Sequence, residues 1–165
     1  MPKILLLIII SFCSHIAFAQ EKNAIHFSID SIVDRIDSIS EGKHKTHIRN
    51  KIFEGKKIKE VWKYFENNKF SKISIEYKID STIYMERYYQ EKGLLIFTYE
   101  GIKFLTPSFD PNDYTIWAGD FYFINGKLDY YITLGHGKSE LDDWNPEKDN
   151  LDRYEKRKTE LALLK

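Results

Sequence analysis

Leu128, Tyr130, Ile132 and Leu134 alternate with Asp129, Tyr131 and Thr133, and this run begins just after Asn125-Gly126. An apolar residue at every second position marks a strand with one face buried. Asn-Gly accepts the positive φ angles of a type I′ turn, so the run is expected to pair back onto Phe121–Ile124. The same pattern recurs upstream, where Ile73, Ile75 and Tyr77 alternate with Lys72, Ser74 and Glu76. Asn67-Asn68 is expected to turn Trp62–Phe65 into Phe70–Tyr77 in a similar way. Glu91-Lys92-Gly93 reads as a three-residue connection with a left-handed glycine, joining Ile83–Gln90 to Leu94–Tyr99. A further hairpin is expected at Glu54-Gly55. Hairpins in succession make a meander.

Two segments have the other period. Ile29, Ile32, Val33, Ile36 and Ile39 fall at helical spacing, with Ser28 as the expected cap and Gly42 as the stop. Asn145-Pro146-Glu147 opens a second helix with a capping side chain, a proline in the first turn and an acid near the positive dipole end. Leu151, Tyr154, Leu161 and Leu164 form its apolar stripe. The fold class is therefore α+β: an antiparallel β-meander sheet of about six or seven strands, with an N-terminal and a C-terminal helix packed on it, both expected on one face. Thr106–Tyr114, with Pro107 and Pro111, reads as a long loop.

Ahead of this region, Lys3, the apolar run Ile4–Ile10, and Ala17-Phe18-Ala19 before Gln20 have the three parts of a secretory signal peptide. Ser11, Ser14 and His15 break the run well short of the roughly 20 apolar residues of a membrane span. The expected division is a signal peptide at 1–19 and one domain at 20–165, exported to the periplasm or the medium. Ile10-Ser11-Phe12-Cys13 resembles a lipidation box, but Phe12 is too bulky for the position before the cysteine, so anchoring at Cys13 is not expected. Cleavage removes the only cysteine, which excludes disulfides and thiol chemistry, and it removes one of 25 basic residues, leaving 24 against 25 acidic. A cysteine-free exported domain must rest on its apolar core.

Tyr64-Phe65, Tyr88-Tyr89 and Tyr122-Phe123 each place two aromatics shortly before a polar turn, with Phe70, Leu94 and Leu128 after it. Together with the Ala-x-Ala-Gln export site, the short helix and the charged closing helix, this resembles a group of small uncharacterised exported proteins of gram-negative bacteria. The hairpin signature is also similar to the aromatic-turn repeats of the MORN-variant group, although their regular glycine spacing is missing. Neither resemblance implies catalytic residues.

Several residues invite chemistry. His136, between Gly135 and Gly137, has Asp142 and Asp143 close behind it, the sequence of an acid/base pair or of an ordinary strand-to-helix loop. His44 and His47, with His26, have zinc-like spacing but are flanked by Lys43 and Lys45. Asp143 to Asp149 places oxygen donors at alternate positions, yet Lys148 and Tyr154 stand where a calcium loop needs glycine and glutamate. Asp30, Asp34 and Asp37 are expected to keep the first helix wet. Lys56, Lys57, Lys59 and Lys63, around Trp62 and Tyr64, read as the guard of an exposed strand edge and not as a nucleic-acid surface. No cofactor, metal or nucleic-acid partner is expected.

The surplus of aromatics points elsewhere. Tyr84, Tyr88 and Tyr131, with Trp117, form the candidate binding face, unless a helix covers that side. The expected function is a non-enzymatic binding or interaction module of the cell envelope, its partner a protein or other envelope macromolecule. The alternative is a small envelope hydrolase using His136 with a nearby carboxylate.

Overall fold

The computed structural model describes residues 24–53, 55–105 and 115–164; the expected signal peptide at 1–19, Cys13 and the loop expected at 106–114 lie outside them. Helix α1 (24–40) leads into seven strands: β1 (Lys45–Phe53), β2 (Lys56–Glu66), β3 (Phe70–Ile79), β4 (Thr82–Glu91), β5 (Leu94–Phe104), β6 (Thr115–Ile124) and β7 (Lys127–Gly135). A 3-10 turn at Lys138–Glu140 precedes helix α2 (Pro146–Ala162). The strands form one antiparallel sheet in chain order, β1 and β7 being its edges.

Local chemistry sets the turns. Asn125 and Gly126 take φ of 53° and 77°, the expected type I′ pair. The β4–β5 connection is tighter than expected: Glu91 pairs with Leu94, leaving only Lys92 and Gly93, both left-handed at 50° and 80°. Asn67 closes its turn by its side chain, whose Oδ1 accepts from the backbone N–H groups of Lys69 and Phe70 at 2.8 and 2.7 Å. Asp80 (φ 52°) and Ser81 make the β3–β4 turn, which the composition of that stretch did not announce.

The helices lie on opposite faces, a correction to the single covered face expected from sequence. Ile29 and Ile36 of α1 pack with Phe65, Phe70, Tyr89, Phe97 and Tyr122. Tyr154 and Leu161 of α2 pack with Trp62, Tyr64, Tyr88, Trp117, Phe121 and Phe123 on the other side. The physical reason is the aromatic pairs. Adjacent strand residues point to opposite faces, so Tyr64-Phe65, Tyr88-Tyr89 and Tyr122-Phe123 each send one ring to each core.

Both helices run across the strands. Along α1, His26 bonds Asp129 of β7 at 2.9 Å, Asp30 accepts from Tyr122 of β6, and Asp37 meets Tyr89 of β4 and Lys72 of β3. Asp30 and Asp34 are exposed, as expected of a water-facing side, and Asp37 is half-buried; Asp30 and Asp37 also anchor the helix to the sheet through these bonds. The contact of His26 with β7, stacked on Tyr130 at 4.7 Å, holds a further turn of helix, so Ser28 lies inside α1 and caps nothing. Asn145 does cap α2, accepting from Lys148 N–H at 2.9 Å.

Candidate functional site

Three carboxylates stand on the face that α2 covers: Glu60 on β2, Glu86 on β4 and Glu100 on β5. Glu60 is 0% exposed and Glu86 5%. Charges so placed survive only when paired. Arg157, within the apolar stripe of α2, grips Glu86 with Nε at 2.8 Å and Nη2 at 2.6 Å, and its Nη1 bonds Glu160 at 2.7 Å. Tyr88 donates to Glu86 at 2.7 Å, and Trp62 Nε1 donates to Glu60 at 3.1 Å. Lys51 Nζ lies 2.5 Å from Glu60 Oε1 without an aligned hydrogen bond. Arg153 pairs with both Glu100 and Asp149, and Lys138 bonds Glu100 at 2.9 Å.

Burial alone would raise the pKa of Glu86, but the bonds and charge of Arg157 and the Tyr88 hydroxyl outweigh it and hold it below its ordinary value. Glu60, Glu86, Glu100, Asp149 and Glu160 face Arg49, Lys51, Lys138, Arg153 and Arg157, five charges against five. A closed neutral network under a helix holds the fold together.

The α1 face is different, because α1 covers only one end of it. Beyond α1 the next row across the strands includes Thr46, Lys63, Ser74, Arg87, Tyr99 and Asp120, each opposite the next. The row after that is apolar: Ile48, Val61, Met85 and Leu134, with Gly101 and Ala118 between them and Glu76 as its one acid. Ile48 is 57% exposed and Leu134 66%. Past this row stand Lys59, Lys78 and Lys103, and beyond them Lys57. Among the described residues, none of Lys57, Lys59, Lys63, Lys78, Arg87 and Lys103 has a carboxylate within 4.0 Å. Arg87 instead lies 5.0 Å over the Tyr99 ring.

Where α1 ends, a polar cleft of about 490 Å³ opens onto this face, lined by Asp37, Ser40, His44, Lys63, Ser74 and Arg87 among others. Asp37 already holds Lys72 at 2.6 Å. Ser40 donates its hydroxyl to the Asp37 carbonyl at 3.1 Å, and among the described residues no hydrogen bond joins His44 to a cleft serine.

The residues singled out from sequence fall as follows. Of the candidate binding face, Tyr88 is 3% and Trp117 0% exposed, both core beneath α2, which corrects their assignment to an open surface. Tyr84 is half-buried and stacked on Tyr77, and Tyr131 is exposed, stacked on Phe121. His136 projects into water, its side chain 92% exposed, and bonds Glu140 at 2.5 Å instead of Asp142 or Asp143. That bond and the Glu140 charge raise its pKa. The depression beside it, about 570 Å³, is lined by Lys138, Asp143, Trp144 and Lys148 and does not include His136.

His47 points to the α2 side and His44 lines the α1 cleft, so the pair is split. Among the described residues, no group of three or more His, Cys, Asp or Glu is placed to hold a metal ion. Asp149 serves Lys138, Arg153 and Trp144. The lysines of β2 guard no edge, since β2 pairs with β1 and β3; Lys57, Lys59 and Lys63 stand on its open α1 side. No helix among the described residues is long and apolar enough to cross a membrane.

Compared with known proteins, the chain matches no family model, no curated sequence and no solved structure, so the site is read from its own geometry.

Proposed function

We propose that the protein is an exported, non-enzymatic binding module whose working surface is the open part of the α1 face. The carrying observation is the contrast between the two faces. On one, α2 packs over buried carboxylates that are paired, while the other leaves a mainly apolar row across the sheet, interrupted by Glu76, with cations on both sides that have no carboxylate within 4.0 Å among the described residues. A contiguous apolar surface rimmed by polar groups is the ordinary form of a recognition site. The N-terminal Lys3, Ile4–Ile10 and Ala17-Phe18-Ala19 support export.

The reading is tested by using the exported protein as bait on envelope extract of the producing cell, beside an Ile48→Asp/Leu134→Asp variant. Both side chains are largely exposed, so near-UV circular dichroism should match the parent. Capture should be lost in the variant. Equal capture by a folded variant rejects the reading.

A further inference from the structure

On the same reading of the open face, we infer that its occupant is an acidic amphipathic helix of a partner protein, lying beside α1. The dimensions come from the sheet. Six interstrand spacings between β1 and β7 make the apolar row about 29 Å long, the length of a helix of about 20 residues. From the row of Lys63 and Arg87 to that of Lys59, Lys78 and Lys103 is four residues along a strand, about 14 Å. Neighbouring helices on a sheet need about 10 Å each, so the space beside α1 takes one. Both helices of this chain already cross the strands in that direction.

Charge supplies the sign. The apolar row has cations on each side, Lys63 and Arg87 on one, Lys59, Lys78 and Lys103 on the other, against Glu76 and Asp120 in the sheet and, on the α1 side of the cleft, Glu41 and Asp37, the latter held by Lys72. On the α2 side, by contrast, Arg49 and Lys51 of β1 both reach Glu60. An amphipathic helix with an apolar stripe and glutamates along its two borders matches this pattern residue class for residue class. A bilayer fits poorly, because α1 stands above the sheet as a wall about 10 Å high. Single-stranded nucleic acid needs open aromatic platforms, and here Tyr99 is half-buried with Arg87 over its ring.

The test titrates the isotopically labelled exported protein with a synthetic helix of about 20 residues, leucine at i, i+3, i+4 and i+7 and glutamate on its borders. A glutamine version, phosphatidylglycerol vesicles and a thymidine oligonucleotide serve as comparisons. Saturable amide shifts should appear at Lys63, Met85 and Arg87, and weaken with salt. Lys59→Glu/Lys78→Glu/Lys103→Glu should bind about tenfold or more weakly, while the equally charged Lys92→Glu/Lys127→Glu/Lys156→Glu variant binds as the parent. Equal binding of the glutamine peptide, an unaffected triple variant, no saturable binding, or binding of vesicles or oligonucleotide alone overturns the inference. If envelope capture still depends on Ile48 and Leu134 while the glutamate helix does not bind, only the acidic-helix inference falls; if capture ignores those residues, the underlying reading has failed.

Discussion

Arg157 is the residue on which the α2 face turns. It is 5% exposed, holds Glu86 with two hydrogen bonds, reaches Glu60 and Glu160, and lies 5.6 Å over the Trp62 ring. Arg157→Ala leaves the buried Glu86 without a cation, while Glu60 keeps Lys51 and Arg49, and the expected loss is about 3–5 kcal/mol in urea unfolding. A loss under about 1 kcal/mol, as for an exposed pair, would mean that the network is not closed as described.

The same residues set an acid limit. The pKa values of Glu86, Asp149 and Glu160 are lowered, burial being outweighed by Arg157 for Glu86 and Glu160 and by Arg153 and Lys138 for Asp149. Depressed carboxylates give stability that is complete above the unfolded values, 4.5 for Glu and 3.8 for Asp, and that disappears as pH falls through the folded ones. Asp120, raised by burial and by Asp30, acts in the opposite sense but is a single group. The urea midpoint should therefore hold steady from neutrality to about pH 5 and drop below about 4.5. A midpoint rising with acid would contradict this.

At the scale of elements, strands and turns were legible in the chain because their chemistry is local. Asn125-Gly126, Gly42 and the Asn145-Pro146 cap act within a few residues, and each does what its composition implies. Lys92 is instructive because it occupies a left-handed position at φ 50° that glycine would occupy without cost. Lys92→Gly should raise stability by up to about 1 kcal/mol, read as a higher urea midpoint with unchanged slope. A decrease would show that the Lys92 side chain makes up for its backbone.

The aromatic pairs carried a second message that alternation explains only with both faces in view: two adjacent rings ask for two cores. The buried Arg157 was also signalled, standing between Tyr154 and Leu161 where the stripe needed a core residue, as Glu60 and Glu86 stand at core parity between Ile58 and Trp62 and between Tyr84 and Tyr88.

At the scale of the whole molecule, the asymmetry of cover decides where a partner can act. On the proposal that residues 1–19 are a cleaved export signal, the product is expected to begin at Gln20, which the intact mass of the secreted protein checks, with or without cyclisation of Gln20 to pyroglutamate. An N-terminus at Met1, or a lipidated Cys13, would remove the basis for free export.

Sequence alone determined the meander and the positions of the helices, because turn geometry, period and capping are properties of neighbouring residues. Tertiary structure decided which face each helix takes, which charges are buried together and which lysines have no carboxylate beside them among the described residues. Those outcomes depend on strands many residues apart being brought into register, and cross-strand register is a property of the assembled sheet.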